Sequence, residues 1–160
     1  MKIGLTGNIG SGKSYVCKIF NNLNIPTFDS DTCAKAQYDI PRVKQEIIGL
    51  FGEQIYENNK INKKLLSNKI FSNPLDMDKV MKIVSIGVRE EYDNFHNTSK
   101  SPFTIFESGI IFERKIENLF DKIICVSTPL LKRIEYLQSE RGLTQDAIRN
   151  IIKNQFTTEE

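Results

Sequence analysis

At 160 residues, the chain is long enough for one domain with a hydrophobic core and too short for two full domains. Its 39% hydrophobic and 26% charged content is typical of a soluble protein, and a net charge of +2 argues against a nucleic-acid scaffold or a membrane-surface protein. Three cysteines without a Cys-x-x-Cys pair favour a reducing cytoplasm, and no apolar run approaches the ~20 residues that span a bilayer, so we expect a cytoplasmic protein without nucleic-acid or membrane partners.

In the first half of the chain, two short strands flank a helix and precede a long helical stretch. The apolar run 2–6 predicts a buried strand, residues 15–23 predict the helix after it, and residues 25–29 predict a second strand. Apolar spacing then predicts four helices, at 34–38, 41–51, 65–71 and 80–92. The polar, turn-rich segment 94–102 is interpreted as a loop.

The second half of the chain continues the alternation of strands and helices. The predicted elements are strand 103–106, helix 110–120, strand 122–126, helix 128–140 and helix 145–155. Pro129 supports the start of the helix at 128–140, because proline is favoured in the first turn of a helix. Thr144 is predicted to cap the N-terminus of the last helix. This order indicates an α/β fold in which helices cover both faces of a parallel sheet.

Residues 7–14 spell Gly-x-x-x-x-Gly-Lys-Ser, the pattern of the phosphate-binding loop of nucleoside triphosphate enzymes, between a predicted strand and a predicted helix. Glycines let such a loop approach a ligand, and its N–H groups and the helix dipole favour phosphate oxygens. Lys13 would reach the β- and γ-phosphates, and the Ser14 hydroxyl would join a Mg²⁺ shell. We expect nucleotide to bind at six consecutive residues: Gly10, Ser11, Gly12, Lys13, Ser14 and Tyr15.

Three acidic side chains are predicted at strand ends, on the edge of the sheet that carries this loop. Asp29 and Asp31 follow the second strand, and Glu107 follows the third. A carboxylate there can accept a proton from an attacking hydroxyl or hold a Mg²⁺-bound water, and the alternative for each is a helix cap or turn. We interpret residues 32–95 as the region that holds a phosphate acceptor, which favours a functional role for Asp31 at its mouth.

Arginines are the second requirement of phosphoryl transfer, because guanidinium groups bind phosphate bidentately. The candidates are Arg89, Arg133 and Arg141, and for each of them the alternative is a solvated helix face. Arg133 lies on the helix after the fourth strand, and Arg141 lies at the end of that helix, where a closing lid is expected. We predict that at least one of the three contacts phosphate.

Along its whole length, the chain resembles the dephospho-coenzyme A kinase family. The phosphate loop is similar to the family's Gly-Gly-Ile-Gly-Ser-Gly-Lys-Ser, with Asn8 in place of a glycine. The further similar segments are Asp29-Ser-Asp31, Phe51-Gly-Glu-Gln-Ile55, Ile61-Asn-Lys-Lys-Leu65, Ile70-Phe71, Ile110-Ile-Phe-Glu113, and Gly142-Leu-Thr with Gln155. Asparagine tolerates left-handed geometry, so the change at position 8 is interpreted as mild.

The resemblance implies a three-layer α/β/α P-loop NTPase fold with a parallel sheet. Residues 1–160 would form a single P-loop kinase domain, with 32–95 as the helical acceptor-binding region and 128–155 as the lid. The implied reaction is ATP-dependent phosphorylation of the ribose 3′-hydroxyl of dephospho-CoA to give coenzyme A. Its implied cofactors are ATP and Mg²⁺, and the protein would be a monomer or a weak oligomer.

The resemblance also assigns roles to individual residues. The implied catalytic residues are Asp31 as the base, together with Lys13, Arg133 and Arg141. The implied acceptor contacts are Asp31, Arg89 and Glu107, and the implied metal ligands are Ser14 and Glu107.

The chain also departs from the family pattern at several positions. The family's His-Pro is Ser85-Ile86 here, and two lid positions that carry arginine in the family are Tyr136 and Glu140. Family members continue beyond the position of Glu160, so we expect the sheet to lack its last edge strand. Two alternatives stay open: a nucleoside or nucleotide monophosphate kinase, including viral ones, and a catalytically impaired nucleotide-binding homologue.

Overall fold

The computed structural model describes residues 1–153, 155 and 156. They fall into two compact units. The first contains residues 1–29 together with the chain from His96 onward, and the second contains Ser30–Phe95. Within the described residues, no helix is both long enough and apolar enough to cross a membrane.

The four strands of the parallel sheet occur in the predicted chain order, with an additional hairpin between the second and third of them. In chain order the elements are β1 (Lys2–Thr6), α1 (Lys13–Asn22), β2 (Thr27–Asp29), α2 (Ser30–Gln37), α3 (Pro41–Phe51), β3 (Tyr56–Glu57), β4 (Lys60–Ile61), α4 (Lys63–Ser72), α5 (Pro74–Thr98), β5 (Thr104–Glu107), β6 (Lys122–Cys125), α6 (Leu130–Ser139) and α7 (Gln145–Lys153). Two short 3₁₀ turns, Glu53–Ile55 and Glu117–Leu119, complete the description.

The first unit is built on a parallel sheet with the strand order β2-β5-β1-β6. Leu5 and Ile105, on the two central strands, are completely buried and pack with Ile3 and Cys17 in one core cluster. Because the strands are parallel, their carboxyl ends meet at one edge of the sheet, which is where ligands bind in open α/β folds. The predicted α/β/α P-loop organisation is confirmed.

The second unit is helical apart from one small hairpin. Its core contains Val43 and Ile47 of α3 together with Val80 and Val84 of α5, all of them buried. The hairpin pairs β3 with β4 through a two-residue turn in which both asparagines, residues 58 and 59, have positive φ. Such a turn matches the twist of the flanking strands, and the sequence analysis missed it because each strand has only two residues.

The predicted helix at 110–120 is wrong. Residues 110–115 form only turns, and the Ile116 N–H donates to the Ile111 carbonyl across Lys115, which has a left-handed φ of 54°. This is the hydrogen bond that ends a helix after a single turn, and the completely buried Ile111 side chain anchors the segment. The helix-like spacing of apolar residues in this segment therefore corresponds to a single buried turn.

The predicted loop at 94–102 is partly wrong, because α5 continues to Thr98. His96 is half-buried, and its Nδ1 lies 2.8 Å from the buried Thr104 hydroxyl of β5. This contact fixes the end of the helix beside the start of the strand, so polar residues there remain helical.

Candidate active site

The loop between β1 and α1 depends on glycines at two close contacts. Gly7 has a φ of 142°, and a Cβ placed on it would lie 2.2 Å from the Val126 carbonyl oxygen. Gly10 has a φ of 75°, and a Cβ there would lie 3.3 Å from both the Cβ and the carbonyl oxygen of Arg133. Any larger residue at either position would be strained and would displace the backbone that follows β6 or the start of α6.

The N-terminus of α1 opens directly from this loop. Gly12 is its left-handed N-cap, with a φ of 98°, and no side chain among the described residues caps the helix there. Ser14 and Tyr15, in the first turn, are exposed. The positive end of the helix dipole and its first N–H groups thus suit an anion, as the sequence pattern predicts.

Lys13 reaches back over the loop. Its Nζ donates a hydrogen bond to the Gly7 carbonyl at 2.8 Å and lies 3.5 Å from the Asn8 carbonyl oxygen. The side chain is half-buried, so the ammonium group is held close to the loop backbone. This position places a positive charge where the loop would receive phosphate.

A cavity of about 270 Å³ adjoins the inner side of the loop. Its lining includes Gly7, Ser11, Glu113, Thr128 and Arg133. Two of these carry buried polar atoms that have no hydrogen-bond partner in the described part of the chain: Ser11 Oγ and, on Arg133, Nε and Nη1.

Arg133 is only 6% exposed, although its side chain carries a full positive charge. Burying a guanidinium whose Nε and Nη1 have no partner among the described residues costs up to several kcal/mol, so the donor set fits an anion with several oxygens. Phosphate is such an anion, because its oxygens accept bidentate hydrogen bonds from arginine.

Two carboxylates lie at the same edge of the sheet as the loop. Glu107 ends β5, where it is in register with Leu5 on one side and with Asp29 on the other. Burial and, to a lesser extent, the charges of Glu107 and Asp29 together raise the pKa of the Cys17 thiol to about 11, whereas the charge of Lys13 opposes the rise. The pKa of one thiol thus depends on both carboxylates and on the loop lysine, and we interpret these groups as sharing one electrostatic environment.

The raised pKa of the Cys17 thiol leads us to expect a loss of stability at alkaline pH. The thiol ionises near 9.0 in its ordinary state, and its pKa of about 11 in the folded protein means that the unfolded chain holds fewer protons in between. The free energy of unfolding should therefore fall by about 1.4 kcal/mol per pH unit across that interval through this group. The stability advantage of wild type over Cys17→Ala, measured by urea unfolding, should shrink from pH 9.0 towards about pH 11. An advantage that stays constant would contradict this electrostatic environment.

The sequence comparisons identify the family. The family model described as CoaE, dephospho-CoA kinase, matches residues 1–160. The chain belongs to the dephospho-CoA kinase family. Two similar curated proteins bear the name dephospho-CoA kinase. One, from Porphyromonas gingivalis, is 35% identical over 90% of this chain and 69% of its own length; the other, from gamma-proteobacterium EBAC31A08, is 36% identical over 100% of this chain and 82% of its own length.

Solved structures share the fold of this kinase-family chain. The crystal structure of TT1252 from Thermus thermophilus superposes with a TM-score of 0.89 at 25% identity, covering 99% of this chain and 82% of that one. A dephospho-CoA kinase from Campylobacter jejuni superposes with a TM-score of 0.65 at 24% identity, covering 97% and 81%.

Within the first unit, the structure gathers part of the predicted dephospho-CoA kinase site. The cavity beside the loop is lined by Ser11 and Arg133, and the Lys13 ammonium contacts the loop backbone. Glu107 lies at the end of the neighbouring strand, β5. Arg141 is exposed beyond α6 and does not line the cavity, so its predicted catalytic role has no support in the geometry. Asn8 is not among the described residues with positive φ, so left-handed geometry does not explain it.

The second unit holds the two other predicted residues. Asp31 is exposed in the first turn of α2, directly after β2. Arg89 is exposed on α5, and its Nε lies 4.0 Å from the Asp93 carboxylate one helical turn away. Their assignments to the base and to the acceptor contacts stay predictions.

Two residues near the loop were not predicted as site residues. Thr128 donates through its hydroxyl to the Ser11 carbonyl at 2.9 Å, and the Gln155 side chain accepts a hydrogen bond from the Ile9 N–H at 2.8 Å. The sequence signalled Thr128 only as a residue at a helix start. Gln155 was noted only as part of a family pattern.

Proposed function

We propose that the protein transfers the γ-phosphoryl group of ATP to the 3′-hydroxyl of the dephospho-CoA ribose, giving coenzyme A and ADP. In chemical terms it is a phosphotransferase with an alcohol as acceptor, acting in coenzyme A biosynthesis. The observation that carries the proposal is the buried Arg133 guanidinium lining the cavity at a complete phosphate loop, in a chain of this family.

The residues of the loop bind and orient the donor. The backbone N–H groups at the start of α1 receive phosphate oxygens, and the Lys13 ammonium neutralises charge that develops during transfer. Arg133 supplies the Nε and Nη1 donors that have no partner in the described part of the chain, and Ser11 adds a hydroxyl. Because these groups are fixed before the reaction, they need no reorganisation when charge develops.

Asp31 acts as the general base. It accepts the proton of the ribose 3′-hydroxyl as that oxygen forms its bond to phosphorus, and ADP leaves with the electrons of the broken phosphoanhydride bond. Arg89 binds the acceptor electrostatically. Both residues belong to the helical unit that the sequence assigns to acceptor binding.

The groups at the carboxyl edge of the sheet fit a Mg²⁺ ion. No cluster of three or more His, Cys, Asp or Glu ligands occurs in the part of the chain that is described. Mg²⁺ at kinase sites usually takes only one or two protein ligands and shares the phosphates, which suits the Ser14 hydroxyl and the Glu107 carboxylate. When bound, the ion neutralises phosphate charge.

The protein acts in the cytoplasm as a monomer or weak oligomer, without nucleic-acid or membrane partners. The near-neutral charge balance supports this proposal, because a net charge of +2 gives no strong field for polyanions. The cysteines support it as well, because the buried Cys17 keeps a raised thiol pKa, as expected of a structural thiol.

Replacing Arg133 should separate activity from stability. We expect Arg133→Met to lower kcat/KM for ATP by about 10²-fold, because phosphate loses donors in a buried site. We expect the free energy of unfolding to change by less than about 1 kcal/mol or to increase, because methionine removes a buried charge whose Nε and Nη1 have no partner among the described residues. Arg149→Met, on the exposed face of α7, is the matched control. Equal kinetics of the two variants would contradict a phosphate contact by Arg133.

An acceptor panel tests the proposed function. ADP release from ATP should be stimulated by dephospho-CoA, and nucleosides and nucleoside monophosphates should give only the background rate. Stimulation by a nucleoside or a monophosphate alone would show that the acceptor assignment is wrong. An absence of turnover with every acceptor would indicate a catalytically impaired homologue.

A further inference from the structure

The residues just after α7 contact two loops at the carboxyl edge of the sheet. Gln155 Oε1 accepts from the Ile9 N–H at 2.8 Å, and Gln155 Nε2 donates to the Gly109 carbonyl at 3.3 Å. Ile9 belongs to the phosphate loop, whereas Gly109 lies two residues after Glu107, the end of β5. One amide side chain therefore bridges the loop after β1 and the loop after β5.

The bridge acts at a demanding point of the phosphate loop. Ile9 directly precedes Gly10, which has a φ of 75° and lies close to Arg133 in α6. With its N–H committed to Gln155, Ile9 is held by the protein itself, and the neighbouring amides keep one orientation. A primary amide suits this position because it accepts from one backbone group and donates to another without bringing a charge.

The same bridge reaches the catalytic lysine. A Cβ placed on Gly109 would lie 3.5 Å from Lys13 Nζ and 3.8 Å from Gln155 Nε2, so both nitrogens face the same short backbone segment. A shift of Gly109 would thus change the surroundings of the Lys13 ammonium and the direction in which the chain leaves Glu107. Displacements of about 1 Å are enough to cost about 10²-fold in rate.

We propose that Gln155 is a positioning residue that holds the phosphate loop and the loop after β5 in their catalytic arrangement. This inference rests on the proposed function, because it assigns Gln155 to the geometry of phosphoryl transfer. The side chain acts through Ile9 and Gly109 and does not itself need to contact ATP.

A second pair of contacts holds the chain in place independently of the Gln155 side chain. Asn8 Nδ2 donates to the Phe156 carbonyl at 3.2 Å, and the Phe156 N–H donates to Glu113 Oε1 at 3.2 Å. Asn8 stands where the family pattern has glycine, so this link comes from a side chain of the present sequence. Substitution of Gln155 should therefore remove the bridge while residue 156 stays docked.

Gln155→Met is the direct test, because methionine keeps the length of the side chain and removes both hydrogen bonds. Gln138→Met, at an exposed position of α6, is the matched control. We expect Gln155→Met to lower kcat about 10-fold or more and to weaken binding of a non-hydrolysable ATP analogue, with KM for dephospho-CoA within about twofold of the control. Kinetics and analogue affinity equal to those of Gln138→Met would overturn the proposal.

Gln155→Glu separates the two hydrogen bonds and serves if the methionine variant does not fold. Ionised glutamate still accepts from the Ile9 N–H but cannot donate to the Gly109 carbonyl. We expect its kcat to be lowered at neutral pH and to recover partly as the pH falls, because a protonated carboxyl donates again. Wild-type kcat at neutral pH would overturn the proposal.

The analogue measurement distinguishes the two hypotheses. If wild type binds the ATP analogue but forms no coenzyme A, the proposed function fails, and weaker binding by Gln155→Met still supports the bridge. If wild type forms coenzyme A and Gln155→Met equals its control, only the bridge fails.

Discussion

Lys13→Ala should lower kcat by about 10³-fold or more. The Lys13 ammonium group lies over the phosphate loop, 2.8 Å from the Gly7 carbonyl, where it can neutralise the charge of bound phosphates. Alanine removes that charge together with its hydrogen bond to the Gly7 carbonyl. Initial rates of ADP formation with saturating dephospho-CoA measure the effect.

Lys18→Ala is the matched control for this prediction, because Lys18 is exposed on the same helix, α1. It should retain kcat within about twofold of wild type, since exposed substitutions away from a site have small effects. The account would be contradicted if Lys13→Ala kept more than a tenth of the wild-type kcat while remaining folded by circular dichroism.

Asp31→Asn should lower kcat by about 10²- to 10⁴-fold, as expected for the loss of a general base. Asparagine has nearly the same shape as aspartate but cannot take the proton of the ribose hydroxyl. Because the loop that binds ATP lies in the other unit and keeps its residues, KM for ATP should change little. Steady-state kinetics with each substrate varied in turn measure both quantities.

Asp78→Asn, at an exposed position of α5, provides the control for the base assignment. It makes the same chemical change without touching the first turn of α2. Full activity of Asp31→Asn would show that another group accepts the proton, and Asp29, two residues earlier at the end of β2, would then be the next residue to test.

The strands of the parallel sheet and the phosphate loop were predictable because their signals are local. The apolar run at 2–6 became β1 without any change of bounds, since a strand buried on both faces needs continuous apolar residues. The helix predicted at 110–120 failed because periodicity does not reveal Lys115 in the left-handed region. The end of α5 depends on the long-range contact of His96 with Thr104, which no local pattern encodes.

The part of the candidate site that could be predicted is the part that a sequence motif encodes. Residues 7–14 indicated phosphate binding, and the helix after the last predicted strand indicated Arg133, which proves to be buried beside Gly10. The same reasoning offered Arg141, which is exposed and lies beyond the end of α6, so its role stays a prediction. Gln155 lies 146 residues from its hydrogen-bond partner Ile9, so only the fold reveals that contact.

The structure explains Asn8, which stands where the family pattern has glycine, in a way that differs from the expected one. Tolerance of left-handed geometry was the expected explanation, but Asn8 does not adopt a positive φ. Its side-chain amide instead donates to the Phe156 carbonyl. The substitution therefore adds a tether between the loop and the chain after α7.

The phosphate loop at residues 7–14 should serve the phosphorylation of dephospho-CoA on its ribose 3′-hydroxyl. The most direct measurement is ³¹P NMR of the product formed by wild-type protein from ATP, Mg²⁺ and dephospho-CoA. We expect a new phosphomonoester resonance that coincides with the 3′-phosphate of authentic coenzyme A, and we expect Lys13→Ala to abolish it. A phosphomonoester at another position, or no new resonance while added nucleoside monophosphates are phosphorylated, would contradict it.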